Sequence, residues 1–248
     1  MALFHMNFYS DALDQTTAVN VIIPEGRKNG KFKTLWLLHG LTDDYTAWMR
    51  YSSVERYAKE HRIAVVMPSV DRSWYTDTAY GKKYFTYITK ELPEKMTLYF
   101  NGYTRDRDYN LIIGLSMGGY GALKAALTYP EKYCFCASLS GSLDVTRKGR
   151  SYEIDEWRSI FGFDIKAASE LEGSEHDLFA LSEKKADYPH IYLWCGTEDS
   201  LFPINEVFSA HLTSLGIDHT FKTSEGDHTW KYWDMHLQNA LKKWKKQI

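Results

Sequence analysis

Apolar residues recur along the chain in short blocks separated by amphipathic stretches. Compact runs rich in β-branched and aromatic residues read as strands at residues 3–10, 18–23, 35–39, 64–67, 110–115, 133–138, 191–195 and 219–223. Helical periodicity marks residues 54–59, 84–91, 117–127, 204–215 and 229–245. The first two strands follow one another directly and are expected to form an antiparallel lead-in. Strand and helix then alternate, which predicts an α/β fold: a mostly parallel central sheet with helices on both faces. No internal repeat or low-complexity linker interrupts this order, so residues 1–248 are expected to form a single domain. One stretch breaks the alternation. Residues 142–177 carry short apolar islands (Trp157, Ile160, Phe161, Phe163) among many charges, and they exceed an ordinary connection.

Composition adds exclusions more than directions. A hydrophobic content of 44% and a net charge of −2 describe an ordinary soluble protein, with no basic bias toward nucleic acid or anionic lipid. The basic run Lys242-Lys243-Trp244-Lys245-Lys246 ends a helix, where cations suit the dipole, so a solvated end is expected rather than a membrane anchor. The first nine residues read as a strand without a charged n-region or long apolar core. No signal peptide and no membrane span are therefore expected. Of the three cysteines, Cys134 and Cys136 share one face of a strand at a spacing poor for a disulfide, and Cys195 belongs to the next strand. Reduced thiols in a cytoplasmic protein follow, with no metal-ligand pattern and no cofactor expected.

The chemistry is concentrated at Gly114-Leu115-Ser116-Met117-Gly118. This pentapeptide joins an apolar strand to a strong helix former and puts a serine at the apex of a sharp turn. Flanking glycines answer the steric problem of so tight a turn, and the new helix aims N–H groups at the space above the serine. A nucleophilic serine needs a base and an orienting acid downstream. Glu198 and Asp199 follow the strand at 191–195, on the face where parallel sheets do their chemistry, and spacing leaves both open. Most of the nine histidines have plain readings: His61 ends a helix, His211 and His236 lie within helices, and His219 lies within a strand. His228 differs, standing on a turn between the last strand and the last helix, and is the expected base. Another strand ends at His39-Gly40-Leu41, where the glycine lets the next N–H face the nucleophile. Leu41 and Met117 are thus the expected oxyanion donors, while His39 is expected to support the loop through its ring nitrogens.

The chain resembles the putative-esterase family of α/β-hydrolases, which includes S-formylglutathione hydrolase, feruloyl and acetylxylan esterases and the mycolyltransferases. Within it the small bacterial tributyrin esterases are the nearest in pattern. The resemblance runs nearly end to end, through Phe8-Tyr9-Ser10, Leu37-Leu38-His39-Gly40, Val65-Val66-Met67-Pro68, Trp74-Tyr75-Thr76-Asp77-Thr78, Tyr80-Gly81, the serine pentapeptide, Trp194-Cys195-Gly196, Asp199, and His228-Thr229-Trp230 with Tyr232-Trp233. It implies an α/β-hydrolase fold with Ser116 as nucleophile, Asp199 as acid and His228 as base. It also places residues 142–177 over the site as a small cap; a surface excursion packed away from the chemistry stays open. Trp74, Tyr75, Trp157, Phe202 and Trp230 are expected to wall the substrate pocket, although the aromatic loop of Trp74, Tyr75 and Tyr80 could equally pack the cap. One departure stands out: Asp43 and Asp44 occupy positions near which relatives often carry glycine and asparagine, and acids there would disfavour anionic substrates. The expected activity is hydrolysis of short-chain acyl esters through an acyl-serine intermediate. Alternatives on the same machinery are S-formylglutathione hydrolysis, feruloyl or acetylxylan ester hydrolysis, and acyl transfer to an alcohol. A purely binding member would show a broken triad, and all three positions are filled. The partner expected is a small-molecule ester, with no nucleic acid or membrane, and assembly into a homo-oligomer is expected.

Overall fold

The computed structural model of the chain describes residues 1–25, 30–79, 81–146, 154–162 and 168–247. Eight strands form one sheet in the order β1-β2-β4-β3-β5-β6-β7-β8: β1 Ala2–Ser10, β2 Gln15–Ile23, β3 Lys33–Leu38, β4 Ile63–Pro68, β5 Asn110–Leu115, β6 Phe135–Leu139, β7 His190–Gly196 and β8 His219–Ser224. The lead-in hairpin pairs β1 with β2 antiparallel, β2 also meets β4 antiparallel, and every later pairing is parallel. Strands β4, β5 and β6 are buried along their whole length, as sheets covered on both faces require.

Helices cover both faces. In chain order they are α1 Ala47–Tyr51, α2 Val54–His61, α3 Tyr84–Thr86, α4 Leu92–Tyr99, α5 Met117–Thr128, α6 Ile154–Phe161, α7 Leu178–Ser182, α8 Phe202–Ser214 and α9 Trp230–Lys245. One core gathers Tyr120 and Leu123 of α5, Leu181 of α7 and Phe208 of α8 against the sheet; the other gathers Trp48, Tyr57, Leu237 and Trp244 from α1, α2 and α9. Among the described residues no helix is long and apolar enough to cross a membrane. The three cysteines are free, with Cys136 and Cys195 buried in their strands.

Several helices depart from the sequence reading. The helix expected at 84–91 does not stop there: α3 passes through a π-helical turn, Tyr87–Glu91, into α4 and on to Tyr99. Pro93 has no N–H to give to Thr89 O four residues back, and that carbonyl is taken instead by the Lys132 ammonium at 3.0 Å. The wide turn also delivers the buried Glu91 carboxylate to the β1–β2 turn, where it accepts from Ser10 Oγ at 2.6 Å and Asp11 N at 2.8 Å. The short helices α1, α6 and α7 are further additions. Of residues 142–177, α6 packs on the 70–79 loop: Trp157 meets Trp74 edge-on at 5.3 Å between ring centres, and Ala79 N donates to Ile160 O at 3.0 Å. Tyr80 and Phe163 lie outside the described residues.

Strand β3 has β4 on one side and β5 on the other, so the chain leaves the carboxyl ends of β3 and β5 in opposite directions. Open sheets leave a crevice at such a switch point. The loops after β3, β5, β7 and β8 converge there.

Candidate active site

The site grows from the β5–α5 turn. Ser116 has φ +51° and ψ −118°, a backbone state that L side chains rarely hold. The turn is fixed by Ser116 N donating to Leu139 O at 2.9 Å and by Ser142 N donating to Ser116 O at 3.1 Å. The flanking glycines are required by close approach: a Cβ on Gly114 would stand 2.1 Å from Gly118 O, and one on Gly118 would stand 2.5 Å from Leu38 O. Strand, turn and helix therefore pack backbone on backbone, and Ser116 Oγ projects at the crevice.

The structure brings Ser116, His228 and Asp199 together. His228 Nε2 lies 3.0 Å from Ser116 Oγ, and His228 Nδ1 lies 2.8 Å from Asp199 Oδ2. An ionised carboxylate only accepts, so Nδ1 carries the proton and the Nε2 lone pair faces the serine hydroxyl. Asp199 is 4% exposed, and its other oxygen accepts from Leu201 N at 2.8 Å. Burial pushes its carboxyl up, but the hydrogen bonds from His228 and Leu201 N outweigh this and hold it below the ordinary aspartate value. Glu198 points elsewhere. Its carboxylate accepts from Gly226 N and from Thr197 Oγ1, while its own N–H donates to Gly226 O at 3.0 Å, clasping the loop that carries His228. The Trp233 ring stands edge-on to the His228 imidazole, 4.8 Å between centres, and supports it from behind.

Leu41 and Met117 flank the serine from two elements. Leu41 sits in the turn after β3, which Asp43 closes by donating its N–H to Gly40 O at 3.2 Å. Met117 opens α5, so its N–H points along the positive end of a twelve-residue helix. Among the described residues neither N–H has a protein acceptor. His39 is 1% exposed, and both ring nitrogens are used by loops: Nδ1 donates to Gly40 O at 2.7 Å and Nε2 accepts from Val70 N at 3.0 Å. Burial pushes its pKa down, keeping it neutral. It is a support, as its position suggested.

An open cleft of about 700 Å³ lies over Ser116, lined by Leu41, Asp43, Leu201, His228, Trp230 and Trp233 among others. This corrects the expected aromatic pocket. Of the five rings, Trp230 alone lines the cleft. Trp74 and Tyr75 are 1% and 0% exposed, buried behind the serine helix: Trp74 packs on Tyr120 and Trp157, and Tyr75 OH donates to His39 O at 2.9 Å. Their positive φ, +52° and +49°, turns that loop inward. Trp157 is buried on α6, and Phe202 turns toward Phe221 while its neighbour Leu201 takes the cleft. Ser142 represents the 142–177 stretch in the lining. The contributions of Leu201 and Trp233 escaped the sequence reading; the latter's signal was its place in the first turn of α9, just after the His228 loop. Among the described residues no group of three or more His, Cys, Asp or Glu is placed to hold a metal ion.

Sheet order, strained serine and converging loops define an α/β-hydrolase. Residues 10–244 match the model of the family described as putative esterase, and the chain belongs to that family. It is 30% identical to an acetyl esterase of Caldicellulosiruptor saccharolyticus, with 97% of each chain covered. It superposes on an S-formylglutathione hydrolase of Staphylococcus aureus with a TM-score of 0.87 at 34% identity, and on a fluorophosphonate-binding serine hydrolase of the same organism with 0.86 at 33%, covering 97% of each chain in both cases. A ferulic acid esterase, 22% identical with a TM-score of 0.81, shares the fold. The chain is an ester hydrolase of this family.

Proposed function

We propose that the chain is a serine carboxylesterase that cleaves short-chain acyl esters through an acyl-serine intermediate. One observation carries the reading: the run of hydrogen bonds from Asp199 through both ring nitrogens of His228 to Ser116 Oγ, at 2.8 and 3.0 Å. Neutral His228 takes the Ser116 proton as Oγ bonds to the ester carbonyl carbon. The carbonyl electrons move onto oxygen, and the N–H groups of Leu41 and Met117 hold that oxyanion. The carbonyl re-forms, the C–O bond to the alcohol breaks, and the imidazolium, steadied by Asp199, protonates the leaving oxygen. His228 then deprotonates a water that attacks the acyl carbon, and Ser116 is regenerated.

Likeness to an acetyl esterase supports the short acyl group. Leu41, Leu115 and Leu201 give the cleft enough apolar lining for a short chain. A second reading, thioester hydrolysis of S-formylglutathione, draws support from the Staphylococcus aureus relative of that name and would use the same steps. The test has two arms. A fluorophosphonate should label Ser116 and leave Ser116→Ala unlabelled. In a p-nitrophenyl series from two to twelve carbons, kcat/KM should climb to about butyrate, at most about fourfold per methylene, and fall steeply by octanoate. A profile still rising at eight carbons rejects the short-chain assignment, and S-formylglutathione assayed beside the series decides between the two readings.

A further inference from the structure

The cleft carries one charged wall. Asp43 Oδ2 accepts from Gly40 N at 3.2 Å while Asp43 N donates to Gly40 O at 3.2 Å, so the side chain is pinned over the 40–43 turn. Its other carboxyl oxygen has no hydrogen-bond partner among the described residues. Asp43 is half-buried in the cleft lining, and burial holds its carboxyl above the ordinary aspartate value, the direction a nearby cation would reverse. Asp44 is engaged differently: it is exposed, and its Oδ1 accepts from Thr46 N at 2.7 Å and Thr46 Oγ1 at 2.6 Å.

Two indoles line the same cleft as this carboxylate. Trp230 meets Trp48 edge-on at 4.9 Å and lies 5.3 Å from the Tyr51 ring, both on α1, the helix that follows the Asp43 turn. Trp230 is thus tied to the helix that the Asp43 turn leads into, and both residues line the cleft. Trp233, which also lines the cleft, stands beside the His228 imidazole that protonates the departing alcohol. No lysine or arginine lines the cleft among the described residues.

We infer that Asp43, Trp230 and Trp233 form the subsite for the alcohol portion, and that it selects alcohols bearing an ammonium group over neutral alcohols of the same shape and over anionic ones. The inference rests on the acyl-serine reading above. A cation in this place gains the field of a partly desolvated carboxylate and contact with the aromatic lining of the cleft, while an anion meets like charge with no compensating cation. The combined effect expected is about tenfold in kcat/KM between cation and neutral isostere. A glutathione thioester, whose thiol portion carries two carboxylates against one ammonium, is net anionic and falls on the disfavoured side.

The experiment compares acetylcholine, its neutral isostere 3,3-dimethylbutyl acetate and the acetate ester of 3-hydroxypropionate. Wild type should rank them in that order, with the cation-to-neutral ratio falling in high salt. In Asp43→Asn, which keeps an oxygen for Gly40 N, the ratio should fall toward one. A wild-type ratio of one or less, or a ratio unchanged in Asp43→Asn, overturns the inference. Should Asp43→Asn fail to fold, protection against fluorophosphonate labelling of wild type carries the test. Choline should protect at lower concentration than 3,3-dimethylbutanol, and equal protection overturns the inference. Absence of both hydrolysis and labelling in wild type would instead remove the esterase reading, and this subsite with it.

Discussion

Ser116 is asked to hold a backbone state that costs a residue with a Cβ about 1–3 kcal/mol, and the folded chain bears that cost where the hydroxyl is needed. Two substitutions separate the strain from the chemistry. Ser116→Ala and Ser116→Gly should both lose activity by a factor of about 10⁶, by analogy with the non-additive subtilisin series. Ser116→Gly should nonetheless be the more stable of the two by about 1 kcal/mol, because glycine accepts the positive φ, partly offset by its larger unfolded-state entropy. Urea unfolding of the pair checks this, and equal midpoints would mean that the turn is unstrained. The two neighbouring acids separate in the same way. Asp199→Asn offers Nδ1 an amide that can favour the wrong tautomer, and about 10⁴-fold should be lost, as in the serine-protease case. Glu198→Gln keeps an oxygen for Gly226 N and should cost less than about tenfold, since Glu198 holds a loop and not a proton. The reverse ranking in steady-state kinetics would move the acid. Serine, histidine and their order were legible because each stands at a turn after a predicted strand. The choice of Asp199 over Glu198 came from the family resemblance and not from spacing, since adjacent side chains diverge and spacing does not say which one enters the crevice. The buried roles of Trp74 and Tyr75 were hidden: an aromatic loop reads the same whether its rings face a cleft or a core, and here two positive φ values turn them inward.

At the scale of elements, the β5–α5 unit is the least tolerant part of the molecule, because its glycines separate main chains and not flexible side chains. Gly114→Ala would put a methyl 2.1 Å from Gly118 O, and Gly118→Ala would put one 2.5 Å from Leu38 O. Neither backbone can yield without moving β3, β5 or the helix, so each change should cost about 3 kcal/mol or more. Thermal unfolding followed by circular dichroism measures it, and a melting temperature within a degree of wild type would contradict the packing. The strands of this unit were readable from their apolar runs alone, since a strand covered on both faces has no polar phase to confuse it. The α3–α4 stretch was readable only in part. Pro93 looks like a stop, and nothing local announces that a π-helical turn and a lysine 43 residues away will satisfy the carbonyl it orphans. Short helices such as α1 and α7 escape for a related reason. With one turn each they carry too few periodic positions, and tertiary packing forms them.

For the molecule as a whole, one buried cation ties the serine helix to the segments stacked over it. Lys124 of α5 is 2% exposed, and its ammonium donates to Thr76 Oγ1 at 2.8 Å and to His176 Nδ1 at 3.1 Å. It also lies 4.9 Å from the centre of the Phe85 ring. Burial pushes the Lys124 pKa down to about 7, and burial together with the Lys124 charge pushes His176 down to about 3. The sign of the stability effect follows from proton counting. An unfolded lysine keeps its proton up to the ordinary value of 10.5, whereas the folded one releases it near 7, so across that window the unfolded chain binds more protons and stability rises with pH. His176 acts with the same sign between about 3 and 6.5, and His236, pushed down to about 4 by burial, adds to it. Acid should therefore destabilise the fold, and mild alkali should strengthen it at no more than about 1.4 kcal/mol per pH unit from Lys124. Lys124→Met isolates the lysine, because the tyrosines and other groups titrating in the same range are common to both proteins. Unfolding free energies from urea titrations at pH 7, 8.5 and 10 should show wild type gaining on the mutant as pH increases. Parallel curves would mean that Lys124 keeps its proton in the folded state, and that the charge is carried into the core at every working pH.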